Sequence, residues 1–119
     1  FQVPSTPAKT LQLVMIDTVE LCGISDDKEY CDAHGIPIEQ CLIHPTGPAD
    51  MKLAIGQWAW LNMTLQASTA DYLIVAGHYP VWSIAEHGPT ACLVEELIPM
   101  LETNKVTAYF SGHDHTFEY

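Results

Sequence analysis

Three short apolar runs, separated by two segments with helical periodicity, constrain the fold of this chain more than any other feature. The runs are residues 11–16, 72–76 and 106–111, and each has the length of a buried strand. The first run, "LQLVMI", is almost continuously apolar, as in a strand covered on both faces. The order strand, helix, strand, helix, strand predicts an α/β fold with parallel neighbouring strands.

The two helical segments can be placed by their capping residues. Asp50 can cap the first helix, which is expected to continue to about Ser68, and Thr90 can cap the second. Asn104 is expected to end the second helix in the left-handed conformation. The residues expected to face the core are Ala54, Trp58, Leu61 and Leu65 in the first helix, and Leu93, Leu97 and Met100 or Leu101 in the second.

Length and charge exclude several classes of protein. At 119 residues, 48% of them hydrophobic, the chain has the size of one small domain with one core. Four Lys and Arg against fifteen Asp and Glu give a net charge of -11, which disfavours nucleic-acid binding because such binding is driven by basic residues. No apolar run is long enough to predict a membrane span. The chain begins at Phe1, so the lack of a visible signal peptide carries no weight about its compartment.

Four cysteines occur without any CxxC pair, a pattern that does not favour a zinc knuckle or a thioredoxin site. Disulfides are predicted instead, and three connectivities are possible. The nesting of the inner pair favours Cys31 with Cys41 and Cys22 with Cys92. The alternative is four buried free thiols in a cytosolic protein.

Two further features concern the surface of the protein. Asn62-Met63-Thr64 is a sequon that predicts glycosylation of Asn62 in a secreted chain, although it lies within a predicted helix. Residues 25–50 show no sustained periodicity and contain scattered Asp, Gly, Pro and two Cys, which predicts a long exposed loop. Loops of this length commonly have a function of their own.

The second and third apolar runs both continue into glycine and histidine, as "LIVAGHYP" and "AYFSGHDH". Ligands of open α/β sheets bind beyond the carboxyl ends of the strands, where both Gly-His pairs are expected. His113 and His115, two apart in extended chain, would project to the same side and converge with His78 on a metal ion. The alternative is a pair of loop histidines with satisfied hydrogen bonds, and three imidazoles without a carboxylate make an incomplete metal site.

Three stretches make the chain resemble a known family. Residues 75–90 ("VAGHYPVWSIAEHGPT"), 112–115 ("GHDH") and 15–23 ("MIDTVELCG") closely resemble the purple acid phosphatases of the small tartrate-resistant (type 5) kind, within the calcineurin-like metallophosphoesterase superfamily. The resemblance implies part of a four-layer α/β/β/α sandwich, with residues 1–119 as a partial catalytic domain. The string AEHGPT argues against a phosphodiesterase of the same superfamily.

The resemblance also implies a chemistry and a set of residues for it. The expected activity is hydrolysis of phosphate monoesters at acid pH by a dinuclear centre of Fe(3+) and a divalent iron, zinc or manganese ion. His78 and His113 match ligands of the divalent ion, and His115 matches a ligand of the ferric ion. His87 matches a histidine that contacts the phosphate and protonates the leaving group; the alternative is an exposed loop histidine.

The chain also departs from the family pattern. The motifs of the GDxG, GDxxY and GNHD kind, which supply the other metal ligands, are absent, and neither Asn62 nor Asn104 lies in a GNH context. The chain is therefore expected to be a fragment of a full-length acid phosphatase and to be inactive by itself. The alternative is a truncated, non-catalytic product with weak metal binding or a partner-binding role.

Two expectations about regulation and location follow from the same resemblance. In relatives, the loop that corresponds to residues 25–50 covers the active site and represses it until an activating protease cleaves it. A Cys31–Cys41 bond would restrict this loop by about 2 to 3 kcal/mol. The parent protein is expected to be secreted or lysosomal.

Overall fold

The fold is a three-stranded parallel sheet with helices packed against it. The computed structural model of the chain describes residues 8–24, 32–37, 45, 47–85 and 89–115. The strands are β1 (Leu11–Met15), β2 (Tyr72–Ala76) and β3 (Ala108–Phe110), in the order β1-β2-β3. The helices are α1 (Thr18–Cys22), α2 (Met51–Ala67) and α3 (Ile98–Thr103), with a π-helical turn, Leu93–Leu97, directly before α3. The predicted α/β alternation with parallel neighbouring strands is confirmed.

Only one face of the sheet is covered by the described residues. Val14 is 4% exposed and Val75 is fully buried, and both belong to the hydrophobic core. Leu11, Leu13 and Met15, on the other face of β1, are 61%, 54% and 62% exposed. The expectation that β1 is covered on both faces is therefore wrong for this part of the chain, because the helices contribute their apolar residues to one face alone.

Helix α1 was not predicted from the sequence. Asp17 caps it, since its Oδ1 accepts hydrogen bonds from the N–H groups of Val19 and Glu20 at 3.0 and 2.9 Å. The helix has five residues and ends at Gly23, whose φ of 95° suits glycine. A helix of this length spans little more than one turn, so it leaves no periodic pattern in the sequence.

Helix α2 forms as predicted. The Asp50 carboxylate accepts hydrogen bonds from the first backbone N–H groups of the helix, which confirms it as the cap. The helix ends at Ala67, one residue before the predicted end. Of the predicted stripe, Ala54, Leu61 and Leu65 are buried and Trp58 packs against the core in part.

The second helical segment begins after Thr90, whose carbonyl oxygen accepts hydrogen bonds from the N–H groups of Leu93 and Val94. After two α-helical residues, Leu93–Leu97 form a π-helical turn, and Pro99 follows near the start of α3. Proline lacks the N–H that a regular helix needs at this point, so the segment cannot continue as an unbroken α-helix. Leu93 and Leu97 are fully buried, and Met100 and Leu101 pack beside them, as predicted.

The end of α3 differs from the prediction. Asn104 has a φ of -94°, so it is not left-handed; its side-chain Nδ2 donates to the Met100 carbonyl oxygen at 2.8 Å instead. The next residue, Lys105, takes the left-handed conformation with a φ of 52°. The Asn104 amide therefore satisfies a carbonyl of the last turn, and the reversal of the chain falls one residue later.

A disulfide joins Cys22, at the end of α1, to Cys92, with a Cα–Cα distance of 5.8 Å. This confirms the longer of the two favoured pairs. Cys31 and Cys41 lie outside the described residues, as does much of the loop predicted over residues 25–50. In the described ranges, no helix is long and apolar enough to cross a membrane.

Candidate functional site

The two Gly-His turns meet at the carboxyl ends of β2 and β3. The Gly77 N–H donates to the Phe110 carbonyl oxygen at 3.0 Å, and the Gly112 N–H donates to the His78 carbonyl oxygen at 3.1 Å. These two bonds continue the pairing of the strands into the turns that follow them. Because β2 and β3 are parallel neighbours, their histidines are held at the same edge of the sheet.

His78 and His113 are brought together at this edge. The Nε2 of His78 lies 3.0 Å from the Nδ1 of His113, and the two rings stand nearly perpendicular, with their centroids 4.8 Å apart. The His113 ring also lies against the Tyr79 ring, at a centroid distance of 4.9 Å. His113 has a φ of 72°, an uncommon backbone conformation that is frequent at binding and catalytic sites.

His115 does not join the pair. It is exposed, and the described residues contain no group of three or more His, Cys, Asp or Glu side chains that can hold one metal ion. The expected convergence of three imidazoles is therefore not met there. The prediction assumed an extended chain, but β3 ends at Phe110 and the left-handed His113 bends the chain, so alternate residues no longer share a side.

An open cleft of about 550 Å³ lies beside this histidine pair. The carboxyl ends of all three strands contribute to its lining, which consists of Met15, Ile16, Asp17, Thr18, Gly77, His78 and Gly112. Open α/β sheets bind their ligands at this position. The cleft therefore gives a ligand direct access to the exposed His78 ring.

The donor set fits part of a metal centre. A cation at about 2.0 to 2.1 Å from each of two imidazole nitrogens places those nitrogens about 2.9 to 3.4 Å apart, for ligand angles between octahedral and tetrahedral. The separation of 3.0 Å between His78 and His113 falls within this range. Two imidazole nitrogens at this separation could occupy two positions of a coordination shell, and further ligands would be needed to complete it.

Thr18, Tyr79 and Tyr109 surround the backbone that follows His78, and no role for them was predicted from the sequence. The Tyr79 N–H donates to Thr18 Oγ1 at 3.1 Å, its hydroxyl donates to the Gly23 carbonyl oxygen at 3.0 Å, and its carbonyl oxygen accepts from the Tyr109 hydroxyl at 2.8 Å. Burial raises the pKa of the Tyr109 phenol, so this hydroxyl stays protonated and remains a donor. The sequence signal that could have indicated these bonds is the pair of tyrosines near apolar strand residues, because a buried tyrosine hydroxyl needs a hydrogen-bond partner.

Several residues named from the sequence cannot be placed in this site. His87, Cys31 and Cys41 lie outside the described residues. Asn62 lies on α2, far along the chain from both Gly-His turns, and its Oδ1 accepts a hydrogen bond from Gln66 Nε2 at 3.2 Å. The structure therefore places His78 and His113 together, whereas His87, the predicted general acid, lies outside the described residues.

The fold and this strand-edge site define an open α/β protein with a ligand cleft at the carboxyl ends of its strands. The sequence profile of the calcineurin-like phosphoesterases matches residues 7–117, and the chain belongs to that family. Over all 119 residues it is 50% identical to the human tartrate-resistant acid phosphatase type 5 and 48% identical to the same enzyme of Sus scrofa. It is also 44% identical, over 59 residues, to purple acid phosphatase 17 of Arabidopsis thaliana.

The comparisons also bear on the extent and fold of the chain. It covers 33% of the human enzyme and 31% of the Sus scrofa enzyme, so it spans about a third of the length of the curated relatives it matches. A solved structure described as GAP50, the anchor in the inner membrane complex of Plasmodium, is similar over 96% of this chain and 29% of its own, with a TM-score of 0.63. Its sequence identity is 23%, so it supports the fold alone.

Proposed function

We propose that these residues belong to a longer acid phosphatase that hydrolyses phosphate monoesters. The observation that carries the proposal is the 3.0 Å approach of His78 and His113 at the edge of the sheet, in a chain with 48% to 50% identity to tartrate-resistant acid phosphatases. His78 and His113 would hold the divalent ion, which is iron, zinc or manganese, and His115 would hold Fe(3+).

The metal ions and this chain's residues would divide the chemistry between them. A dinuclear centre supplies charge neutralisation for the phosphate oxygens and water of lowered pKa as the nucleophile. His78 and His113 would hold the cation beside the open cleft of about 550 Å³, through which the substrate phosphate would enter. His87 would contact the phosphate in its cationic form and donate a proton to the departing alkoxide oxygen, the role of a general acid.

The remaining ligands would come from segments of the longer protein. In the described part of this chain no cluster of three metal-ligating side chains occurs, and a centre of two ions needs more donors than two imidazoles. We therefore expect the 119 residues alone to be inactive. A truncated, non-catalytic product is the second candidate, and it predicts that the isolated chain binds metal weakly at most.

The test uses the full-length phosphatase and its His78→Ala and His113→Ala variants. Each variant is expected to lose divalent metal, measured by elemental analysis, and to lose about 100-fold or more of its p-nitrophenyl phosphate hydrolysis at acid pH. The control is His34→Ala, an exposed histidine outside the strand ends, which is expected to keep the wild-type metal content. Wild-type metal content and activity in His78→Ala and His113→Ala would overturn the proposal.

We also propose a secreted or lysosomal location and glycosylation of Asn62. The Cys22–Cys92 disulfide supports an oxidising compartment. The Asn62 Oδ1 accepts a hydrogen bond from Gln66 Nε2, and this contact does not involve the amide nitrogen that would carry the glycan. Protein from a secretory host is expected to lose mass with an N-glycosidase, whereas Thr64→Ala protein should not; equal masses before and after treatment of the wild type would exclude the modification.

The loop of residues 25–50 is proposed to repress the enzyme until a protease cleaves it. In the sequence this loop connects α1 to α2, and its last residues, Gly47, Ala49 and Asp50, help to line a second cleft of about 390 Å³ beside Asp17. A Cys31–Cys41 bond would slow the cleavage. Combined Cys31→Ser and Cys41→Ser substitution is expected to speed proteolysis and activation of the full-length enzyme, and unchanged rates would contradict this role.

A further inference from the structure

With other described residues, Tyr79 makes three hydrogen bonds, two to the ends of α1 and one to strand β3. Its N–H donates to Thr18 Oγ1, its hydroxyl donates to the Gly23 carbonyl oxygen, and its carbonyl oxygen accepts from the Tyr109 hydroxyl. Tyr79 is 3% exposed and Thr18 is 1% exposed, so the bonds to Thr18 and Gly23 are buried, and the bond from Tyr109 is partly buried. We call Thr18, Gly23 and Tyr109 the Tyr79 clamp.

The clamp acts on the neighbouring histidine through the backbone. The peptide unit between His78 and Tyr79 is bound on both sides, because its carbonyl oxygen accepts from Gly112 N–H and its N–H donates to Thr18 Oγ1. The next peptide unit is bound to the Tyr109 hydroxyl. Both of these peptide units follow the His78 Cα, and before it the Gly77 N–H donates to the Phe110 carbonyl oxygen. Bonds on either side of His78 therefore restrict the direction of its Cα–Cβ bond.

The packing around Gly77 leaves the turn little room to move. A Cβ atom built on Gly77 would lie 2.7 Å from Thr18 Cγ2 and 2.7 Å from the Tyr109 hydroxyl oxygen. Thr18 and Tyr109 therefore flank the residue before His78 and also bind the residue after it. A shift of either side chain would therefore move Gly77, before His78, and Tyr79, after it.

We propose that Thr18 and Tyr109 are positioning residues that hold His78 in the orientation needed to bind a divalent cation together with His113. The inference rests on the proposed function, since it needs His78 to be a metal ligand. Residues that orient a metal ligand by hydrogen bonds commonly change metal affinity by about 10- to 100-fold when they are removed. Thr18 supplies the hydroxyl that receives one peptide N–H, and Tyr109 supplies the hydroxyl that binds the following carbonyl oxygen.

The experiment measures the binding of Zn²⁺ alone to the metal-free full-length protein, by competition with a coloured chelator. Thr18→Val keeps the shape and removes the acceptor, and Tyr109→Phe removes the donor. Both are expected to weaken Zn²⁺ binding by about 10-fold or more. Thr18→Ser keeps the hydroxyl, so its Zn²⁺ affinity should stay within about 3-fold of the wild-type affinity. If Thr18→Val does not fold, Tyr109→Phe decides the question.

The matched control is Thr107→Val. Thr107 Oγ1 accepts the Leu73 N–H at 3.1 Å, the same kind of bond at the opposite end of β2, so its loss should lower stability and leave Zn²⁺ affinity within about 2-fold. Equal weakening by Thr107→Val and Thr18→Val would show a general loss of structure and would overturn the positioning role. Wild-type affinity in both Thr18→Val and Tyr109→Phe would overturn it as well.

The His78→Ala variant separates this inference from the proposed function. If His78→Ala loses Zn²⁺ while Thr18→Val and Tyr109→Phe retain it, the ligand assignment stands and the positioning role fails. If His78→Ala binds Zn²⁺ as the wild type does, the ligand assignment fails and the positioning role fails with it.

Discussion

At the scale of single residues, the site depends on a glycine that has no space for a side chain. Gly77 lies between Thr18 and Tyr109, directly before His78, and its N–H completes the pairing with Phe110. Any side chain at this position must push the two flanking residues away. Glycine is required at position 77 because Thr18 and Tyr109 leave no space for a Cβ atom.

Gly77→Ala is accordingly expected to destabilise the full-length protein by about 1 to 3 kcal/mol through overpacking, and to weaken Zn²⁺ binding. Urea denaturation measures the first effect and chelator competition the second. Gly56→Ala is the control, because a Cβ there meets nothing within 4 Å and lies in the interior of α2. That substitution should stabilise the protein by about 0.5 to 1 kcal/mol, and a similar gain at Gly77 would refute the packing argument.

At the scale of elements, two links hold α1 in place beside the strand ends. The Gln57 side chain on α2 accepts a hydrogen bond from the Asp17 N–H at 2.7 Å, and its Nε2 donates to Glu20 Oε1 at 2.8 Å. The Cys22–Cys92 disulfide ties the other end of α1 to the segment that leads into Leu93. Since α1 begins with Thr18, these links also steady the clamp around Tyr79.

Removal of the disulfide, by Cys22→Ser together with Cys92→Ser, is expected to cost about 2 to 4 kcal/mol of the free energy of unfolding. The bond closes a separation of 70 residues, which restricts the unfolded chain strongly. Urea denaturation of the full-length variant and of the wild type, both without reductant, gives the difference. An unchanged unfolding midpoint would mean that the other contacts of α1 suffice to hold it.

At the scale of the whole molecule, the sheet presents an apolar face that no other described element covers. The strand register places Leu11, Leu13 and Met15 beside Tyr72, Ile74 and Ala76 on this face, and Phe110 extends it. Phe110 is 59% exposed and Tyr72 is 48% exposed. The chain spans about a third of the relatives' length, and we expect further segments of the longer protein to cover this face.

The 119-residue chain produced alone is therefore expected to self-associate through this face. Leu13→Glu should return it towards the monomer, measured by analytical ultracentrifugation, because a charge would be buried in the associated state. The control is Met63→Glu on α2, where the side chain is 62% exposed but lies on the helix layer; it should leave the association unchanged. A monomeric wild-type chain would contradict the expectation.

The sequence alone determined the framework of this protein. Apolar runs and periodic stripes are local signals, so they located the three strands, helix α2 with its Asp50 cap, and the buried Leu93 and Leu97. The strand order also placed His78 and His113 at one edge, because parallel neighbours end together. The nesting of the cysteines favoured the Cys22–Cys92 bond that the structure contains.

The tertiary structure alone decided how this framework is completed. The bonds from Tyr79 to Thr18 and Tyr109 join residues 61 and 30 positions apart, and contacts of that kind leave no periodic mark in a sequence. The left-handed backbone of His113 likewise bends the chain before His115, and the described residues contain no group of three metal-ligating side chains. Local hydrophobic pattern specifies which segments fold, whereas the orientation of the histidines depends on distant hydrogen bonds and close packing that form only when the segments meet.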